Sequence, residues 1–432
     1  MQNCRLGQTR GQQMYALIED LFPLCRSITG DGLRSSLEQI RSVIPLHMTE
    51  VPTGTQVFDW TVPNEWNVRE AYLEDMSGRR ILDFSQNNLH LLGYSLPFRG
   101  KVSLQELQEH LHSLPEQPEA IPYVTSYYEP RWGFCLSHNQ RQSLQAEAYY
   151  VHIDTELFDG SMTLADWVLP GETQQEILIS TYLCHPSMAN NELSGPVLAA
   201  FLARELSQWQ RRRYTYRFLF IPETIGAIAY LSQHLAHLKT WVAAGLVVTC
   251  VGDPGPHSYL TTREGSALID RVVQHVLRYS KRETRIYSWL ERGSDERQYN
   301  WPGVDLPVGV LMRSKYGTYP EYHTSLDNLD FVTPEALEES LELYLRCLSA
   351  LEANRCYRST SLGEPQLSRR GLYPTLATRD AGRTTRDLVN LLAYSDGQTD
   401  LVQIAESIGV PVWELSDWIP RLLQENLLVL AE

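Results

Sequence analysis

Residues 177–200, ILISTYLCHPSMANNELSGPVLAA, constrain the fold of this chain more than any other stretch. The run 177–183 is short, apolar and β-branched and meets turn residues at once, which predicts a buried strand. Cys184, His185 and Pro186 stand at its end, followed by a polar loop over 187–192. Small residues (Ser194, Gly195) and an apolar run from Val197 then open a helix. A strand that delivers imidazole, carboxylate and amide groups to its carboxyl end, just before a helix, is where α/β sheets place chemistry. Equally compatible with these residues alone is a His185 that merely caps the strand.

From about residue 150 the same alternation recurs. Strands are expected over 216–221, 245–251 and 307–312, and helices over 195–209, 226–238, 267–279 and 334–353. Such a pattern predicts an α/β fold, a mixed sheet with helices on both faces. Ahead of it, residues 11–45 read as helices interrupted at Pro23 and at the turn 29–32. Residues 57–150 alternate strand-like runs (57–62, 66–72, 80–84) with turn signals, add a polar helix over 103–114, and read as a small β-rich domain inserted into the larger one. The expected domains are therefore 1–56 with 151–355, the insert 57–150, and a C-terminal unit 386–432 after a polar linker, 354–385. In that last unit three short helices (the third running from Val410 through Leu423) and a strand suggest a winged-helix-like fold.

Charge bears on partners. The chain has 432 residues and a formal net charge of −15. In 386–432 only Arg386 and Arg421 oppose Asp387, Asp396, Asp400, Glu406, Glu414, Asp417, Glu425 and Glu432. Phosphate backbones are bound by clustered Lys and Arg, so no nucleic-acid partner is expected, and a protein partner or homo-oligomer through this unit is. The seven cysteines form no CxxC pair, against a disulfide framework or zinc ribbon. With no run of membrane-spanning length, the expectation is a soluble, cytoplasmic protein without a membrane partner.

Four residues end or follow predicted strands: His185, Glu223, Asp253 and His323. Imidazole and carboxylate from separate strand ends are what a catalytic zinc needs: a few N/O ligands, an open position and a nearby carboxylate base. His185, the run 189–195 (ANNELSG), Glu223, Asp253 and Tyr322-His323-Thr324 together resemble the co-catalytic zinc aminopeptidases. Residues 21–30 (LFPLCRSITG), 184–187 (CHPS) and 321–328 (EYHTSLDN) resemble, more narrowly, bacterial aminopeptidase-like proteins with an inserted domain and a C-terminal winged helix, often associated with polysaccharide biosynthesis. That resemblance implies His185 and Asp253 on one metal, Glu223 as general base and His323 as ligand of a second metal. Asn191 stands where the family has its bridging Asp, and Thr224 where a Glu ligand follows the base. Neutral ligands offset less cationic charge, so one zinc is expected rather than two.

The related peptidases line their substrate site with the region of Ser294-Asp295-Glu296-Arg297. Asp295 or Arg297, with Tyr322, is expected to hold a substrate's amine or carboxylate; a solvated charge cluster is the competing reading. A Cys-His hydrolase on Cys184 is disfavoured, because neighbours on a strand point to opposite faces. The leading expectation is a zinc-dependent hydrolase acting on a small peptide or aminoacylated small molecule. The alternative is a catalytically weakened scaffold with an interaction role.

Overall fold

The structure, a computed structural model, describes residues 7–372 and 379–431. The chain divides into two compact units, residues 1–265 with 285–342 and residues 266–284 with 343–432.

In the first unit, all seven residues of strand Glu176–Tyr182 are buried, Glu176, Ser180 and Thr181 among them. It pairs in parallel with Thr215–Ile221 on one side and Val242–Val248 on the other, and Val242–Val248 pairs in parallel with Val308–Met312. Antiparallel strands flank these four: Ser161–Leu169 and His47–Pro52 beyond Thr215–Ile221, and His257–Leu260 beside Val308–Met312, with Thr284–Tyr287 last. The sheet is mixed. Helix Ser194–Ser207 packs on its central strands, and helices Arg10–Leu21 and Asp31–Arg41 pack on that helix. Gly195 lets the helix approach closely, since a Cβ there would lie 2.4 Å from the Val248 carbonyl oxygen.

The inserted region builds its own antiparallel sheet, in the order Arg80–Asp83, Glu65–Asp75, Ala148–Phe158, Phe98–Ser103. The helix expected over 103–114 covers only Leu104–Glu109, with the Ser103 hydroxyl capping it. Leu111–His112 instead pairs with Phe134–Cys135, a tertiary pairing that overrides local helical preference.

The second unit holds a winged helix. Part of the stretch read as linker is its central strand: Cys356–Ser359 lies between Asp396–Asp400 and Leu428–Leu430. Residues 373–378 of that stretch lie outside the described residues. Four residues are too few to show a period, which is why the sequence reads as linker there. The third helix is two, Val412–Ser416 and Ile419–Gln424, with Pro420 in the first turn of the second, where its missing N–H costs nothing. Among the described residues no helix is long and apolar enough to cross a membrane.

His275, on helix Leu268–Arg278, locks this unit internally. Its Nε2 accepts the Val412 N–H at 2.9 Å, so the ring proton sits on Nδ1, 3.7 Å from Glu406 Oε1. Burial, seconded by Arg278, pushes its pKa down to about 4; the rings of Tyr279 and Trp413 complete its surroundings. An imidazole in the unfolded chain titrates near 6.5. Above that pH neither state is protonated and the contribution is fully present; as pH falls from about 6.5 to about 4 only the unfolded chain gains the proton, and stability is lost. His275→Gln keeps an acceptor and cannot titrate. The unfolding free energy of the wild type, from denaturant titration, should therefore fall more steeply than the variant's between pH 6.5 and 4.5, by on the order of 2 kcal/mol. Parallel pH profiles would remove His275 from this role.

Candidate active site

The central strand ends at Tyr182, and the chain leaves the sheet there. Residues Ala189–Leu193 form a π-helical turn ahead of the helix, a geometry that recurs at functional sites. It turns Asn190, Asn191 and Glu192 all inward, each at most 1 % exposed. Glu192 accepts the Cys184 N–H on one oxygen and meets His185 Nδ1 at 2.5 Å with the other. That bond leaves Nε2 as the free nitrogen of His185, 3.6 Å from Glu223 Oε2. Burial opposes a charge on His185, but Cys184 and Glu192 outweigh it and hold its pKa well above the usual imidazole range.

Glu223 sits just past its buried strand in an unusual turn. The Ile225 N–H bonds the Glu223 carbonyl at 2.8 Å across Thr224, whose φ of 63° and ψ of −76° define the rare, strained kind of γ-turn. Asp295 Oδ1 holds the Thr224 N–H at 2.7 Å, and Arg297 Nη2 donates to Thr224 Oγ1 at 2.6 Å. The Ser294 hydroxyl donates to Glu223 Oε1 at 2.7 Å. Burial raises the Glu223 pKa against the opposing pull of His185, Ser294 and Arg297.

His323 faces His185 with ring centroids 5.4 Å apart. Burial, with His185 adding, pushes its pKa down to about 3. Its Nε2 and the Asn191 Oδ1 are buried and have no hydrogen-bond partner among the described residues. Two imidazoles on one tetrahedral zinc, each nitrogen about 2 Å from the ion, place their centroids roughly 5 Å apart. The observed separation is of that order.

Other expected residues are brought close but serve differently. Asp253 was expected to share the metal of His185, yet its Oδ1 accepts from Gly255 N–H and Ser314 Oγ, and its Oδ2 from Asn190 Nδ2 and Ser314 N–H. With four donors on it, this carboxylate holds loops together. Asp295 is fully buried, its pKa raised well above the usual range by burial and by Glu223, and it supports the γ-turn rather than reaching a substrate. Tyr322 stacks on His323 at 3.9 Å. Arg297 does line the site: a cavity of about 320 Å³ is bounded by His185, Glu223, Thr224, Arg297 and Gln298, with Trp60, Tyr127 and Tyr128 from the inserted region. Cys184 also lines it, and its Sγ comes 3.5 Å from His185 Nδ1. The face-alternation rule does not separate this pair, because both residues follow the strand's end. Burial pushes the thiol up to about 12, and it meets the same nitrogen as Glu192, so no nucleophile–base relay forms. Among the described residues, Cys184, His185 and Glu192 bring potential ligand atoms within 4.8 Å of one another.

Several residues that shape the site went unread in the sequence. Asp327 takes the N–H groups of Asn190 (2.6 Å) and Asn191 (2.9 Å), and burial raises its pKa to about 7. Arg26 donates from Nε to the His185 carbonyl at 3.0 Å. Tyr182 binds Asn191 Nδ2 through its hydroxyl at 2.7 Å. Their motifs were visible, but only the fold shows what each side chain reaches.

Residues 15–354 match a family described as a domain of unknown function (DUF4910), and residues 355–430 a winged helix-turn-helix family. A Clostridium acetobutylicum protein, provisionally named as a polysaccharide biosynthesis protein with an aminopeptidase-like domain, is 45% identical over 423 residues, 98% of this chain and 97% of its own. The crystal structure of a provisionally named peptidase from the same species has a TM-score of 0.91 at 43% identity, covering 97% of this chain and 96% of that one. A zinc aminopeptidase from Bacillus subtilis shares the fold at 12% identity, with a TM-score of 0.58 over 79% of this chain and 94% of its own. The match across residues 15–354 and the near full-length relative make this chain a member of the DUF4910 family, with an aminopeptidase-like fold followed by a winged helix.

Proposed function

We propose that the chain is a metal-dependent hydrolase of aminopeptidase type that cleaves an amide or peptide bond. The observation that carries this reading is the pair of buried imidazoles with ring centroids 5.4 Å apart and the Glu223 carboxylate 3.6 Å from His185 Nε2. His185 and His323 would hold one zinc through Nε2, and Asn191 would offer its amide oxygen. A bound zinc supplies Lewis acidity and lowers the pKa of water. Glu223 accepts the proton of the attacking water and returns it to the leaving amine; its burial-raised pKa suits both directions of transfer. Ser294 fixes the carboxylate's rotation from the opposite oxygen. Arg297, anchored on Thr224, and Gln298 face the same cavity and suit a carboxylate or carbonyl of the substrate, while Trp60, Tyr127 and Tyr128 offer it an aromatic wall.

A small peptide or an aminoacylated small molecule fits a cavity of this size. The Clostridium relative's name adds a carbohydrate-linked amide to that class. The second reading, a catalytically weakened scaffold, draws on Asn191 and Thr224, which are neutral where dizinc enzymes carry carboxylates. Metal content separates the two. Wild-type protein dialysed against a mild chelator should retain about one zinc per chain, and His185→Ala and His323→Ala should each lose it. Undiminished zinc in either variant refutes that ligand assignment.

Glu223→Gln keeps the size and removes the basicity. Against a panel of aminoacyl and N-acyl amides it should lose roughly 10²–10⁴-fold in turnover while keeping its zinc. Turnover at the wild-type rate would move the base elsewhere; loss of zinc would make Glu223 a ligand.

We also propose that the acidic C-terminal unit recruits a protein, or a second copy of this chain, rather than nucleic acid. The full-length protein should not retard duplex DNA at low salt, where attraction to phosphate is strongest. Retardation that fades with added salt would overturn this.

A further inference from the structure

The site has a wall that the aminopeptidase-like sheet does not supply. A strap of the inserted region, residues 117–125, runs antiparallel to the loop that carries His323. The Tyr123 N–H bonds the His323 carbonyl at 2.9 Å, and the Ser325 N–H bonds the Ile121 carbonyl at 2.9 Å. The Ile121 N–H donates to Ser325 Oγ at 3.0 Å and Gln117 Nε2 to the Pro320 carbonyl at 2.9 Å, while Pro122 and Thr324 form an isolated bridge. Four hydrogen bonds thus bracket a histidine whose φ of 56° lies in the left-handed region. A non-glycine residue stays in that conformation only where its surroundings impose it.

The Tyr123 side chain then reaches both imidazoles. Its ring stands edge-on to His185, with centroids 4.9 Å apart, and nearly perpendicular to His323 at 5.3 Å. Tyr322 stacks on the His323 ring at an interplanar angle of 12°. The Tyr123 hydroxyl meets Tyr127 Oη at 2.8 Å, tying the ring to a residue that lines the cavity.

We propose that Tyr123 is a positioning residue: with the 117–125 strap it holds His323 and His185 at the separation one metal ion requires, so that the inserted region is a structural half of the metal centre. The zinc aspect rests on the function proposed above; the positioning of His323 does not. Aromatic packing of this kind fixes ring orientation, as hydrogen-bonded partners do for metal-binding histidines elsewhere. Without it, the positive φ of His323 has fewer constraints and the loop relaxes.

The test compares Tyr123→Phe, which keeps the ring, with Tyr123→Leu, which keeps apolar bulk without it. Two quantities are measured on full-length protein: zinc affinity by chelator competition, and the rate at which diethyl pyrocarbonate modifies His323 in the metal-free form, read by peptide mass. Tyr123→Phe should match the wild type in both. Tyr123→Leu should bind zinc about 10–100-fold more weakly and expose His323 to faster modification. Ser325→Ala, which removes one strap bond, should shift both in the same direction by less and serves if Tyr123→Leu does not fold. Wild-type zinc affinity and His323 protection in Tyr123→Leu would overturn the proposal, as would a Tyr123→Phe protein as impaired as Tyr123→Leu. If the wild type binds no zinc, the hydrolase reading fails, and the modification rates alone decide whether the strap positions His323.

Discussion

Glu192 is the buried carboxyl around which the carboxyl end of the central strand is arranged. A carboxylate with no solvent exposure costs several kcal/mol unless its oxygens find donors. Here the Cys184 N–H and His185 Nδ1 supply them. Both donors belong to the segment just past the strand, so satisfying Glu192 dictates how that segment turns. The π-helical turn at Ala189–Leu193 brings Glu192 around to meet them. Arg26 closes the arrangement: it is 1 % exposed and bonds the His185 and Leu21 carbonyls, and Glu192 is the chief charge opposing the pull of burial on its pKa. The N-terminal stretch 21–30 is thereby tied to the site some 160 positions away.

Strain and support are divided among the neighbouring loops. Ser187, Thr224, Cys250 and His323 all have positive φ, and strained backbone of this kind gathers at functional sites. The acidic residues around them have separate tasks. Asp253 joins the Asn190 loop to the one carrying Ser314, Asp327 grips the amides of Asn190 and Asn191, and Asp295 pins the γ-turn at Thr224. Glu223, held by Ser294 on one oxygen, is the carboxylate that lines the cavity. The proposed base would need rigid surroundings, and three buried carboxylates near it tie the loops together.

Much of this was legible in the chain. The alternation after residue 150 foretold the parallel strands, because a strand buried on both faces reads as an unbroken apolar run. His185 and Glu223 stood out because each follows such a run, and His323 because it follows the polar turn 315–320. The roles of Asp253 and Asp295 were not legible, since a carboxylate at a strand end looks the same whether it faces an ion or three loop amides. The role of Glu192 was not legible either, because only the π-turn shows that it points at His185. Strand Cys356–Ser359 was hidden by its brevity, and the helix expected through Leu114 yielded to a pairing with residues more than 20 positions on.

The two departures at Asn191 and Thr224 become coherent once Arg297 is placed. Its guanidinium donates to Thr224 Oγ1 at 2.6 Å, at the position where dizinc enzymes carry a glutamate ligand. A divalent ion held through residue 224 would be repelled by that guanidinium, since like charges at close range are unfavourable. Removing the glutamate and the bridging aspartate takes away the two anions that would have offset the repulsion. Under the proposed function, arginine, threonine and asparagine would act as a set: one organic cation stands beside the site, and His185 and His323 would be left to share a single ion. That arrangement supports the one-zinc reading. It also gives the cavity a permanent positive charge facing the substrate, independent of how much metal is bound.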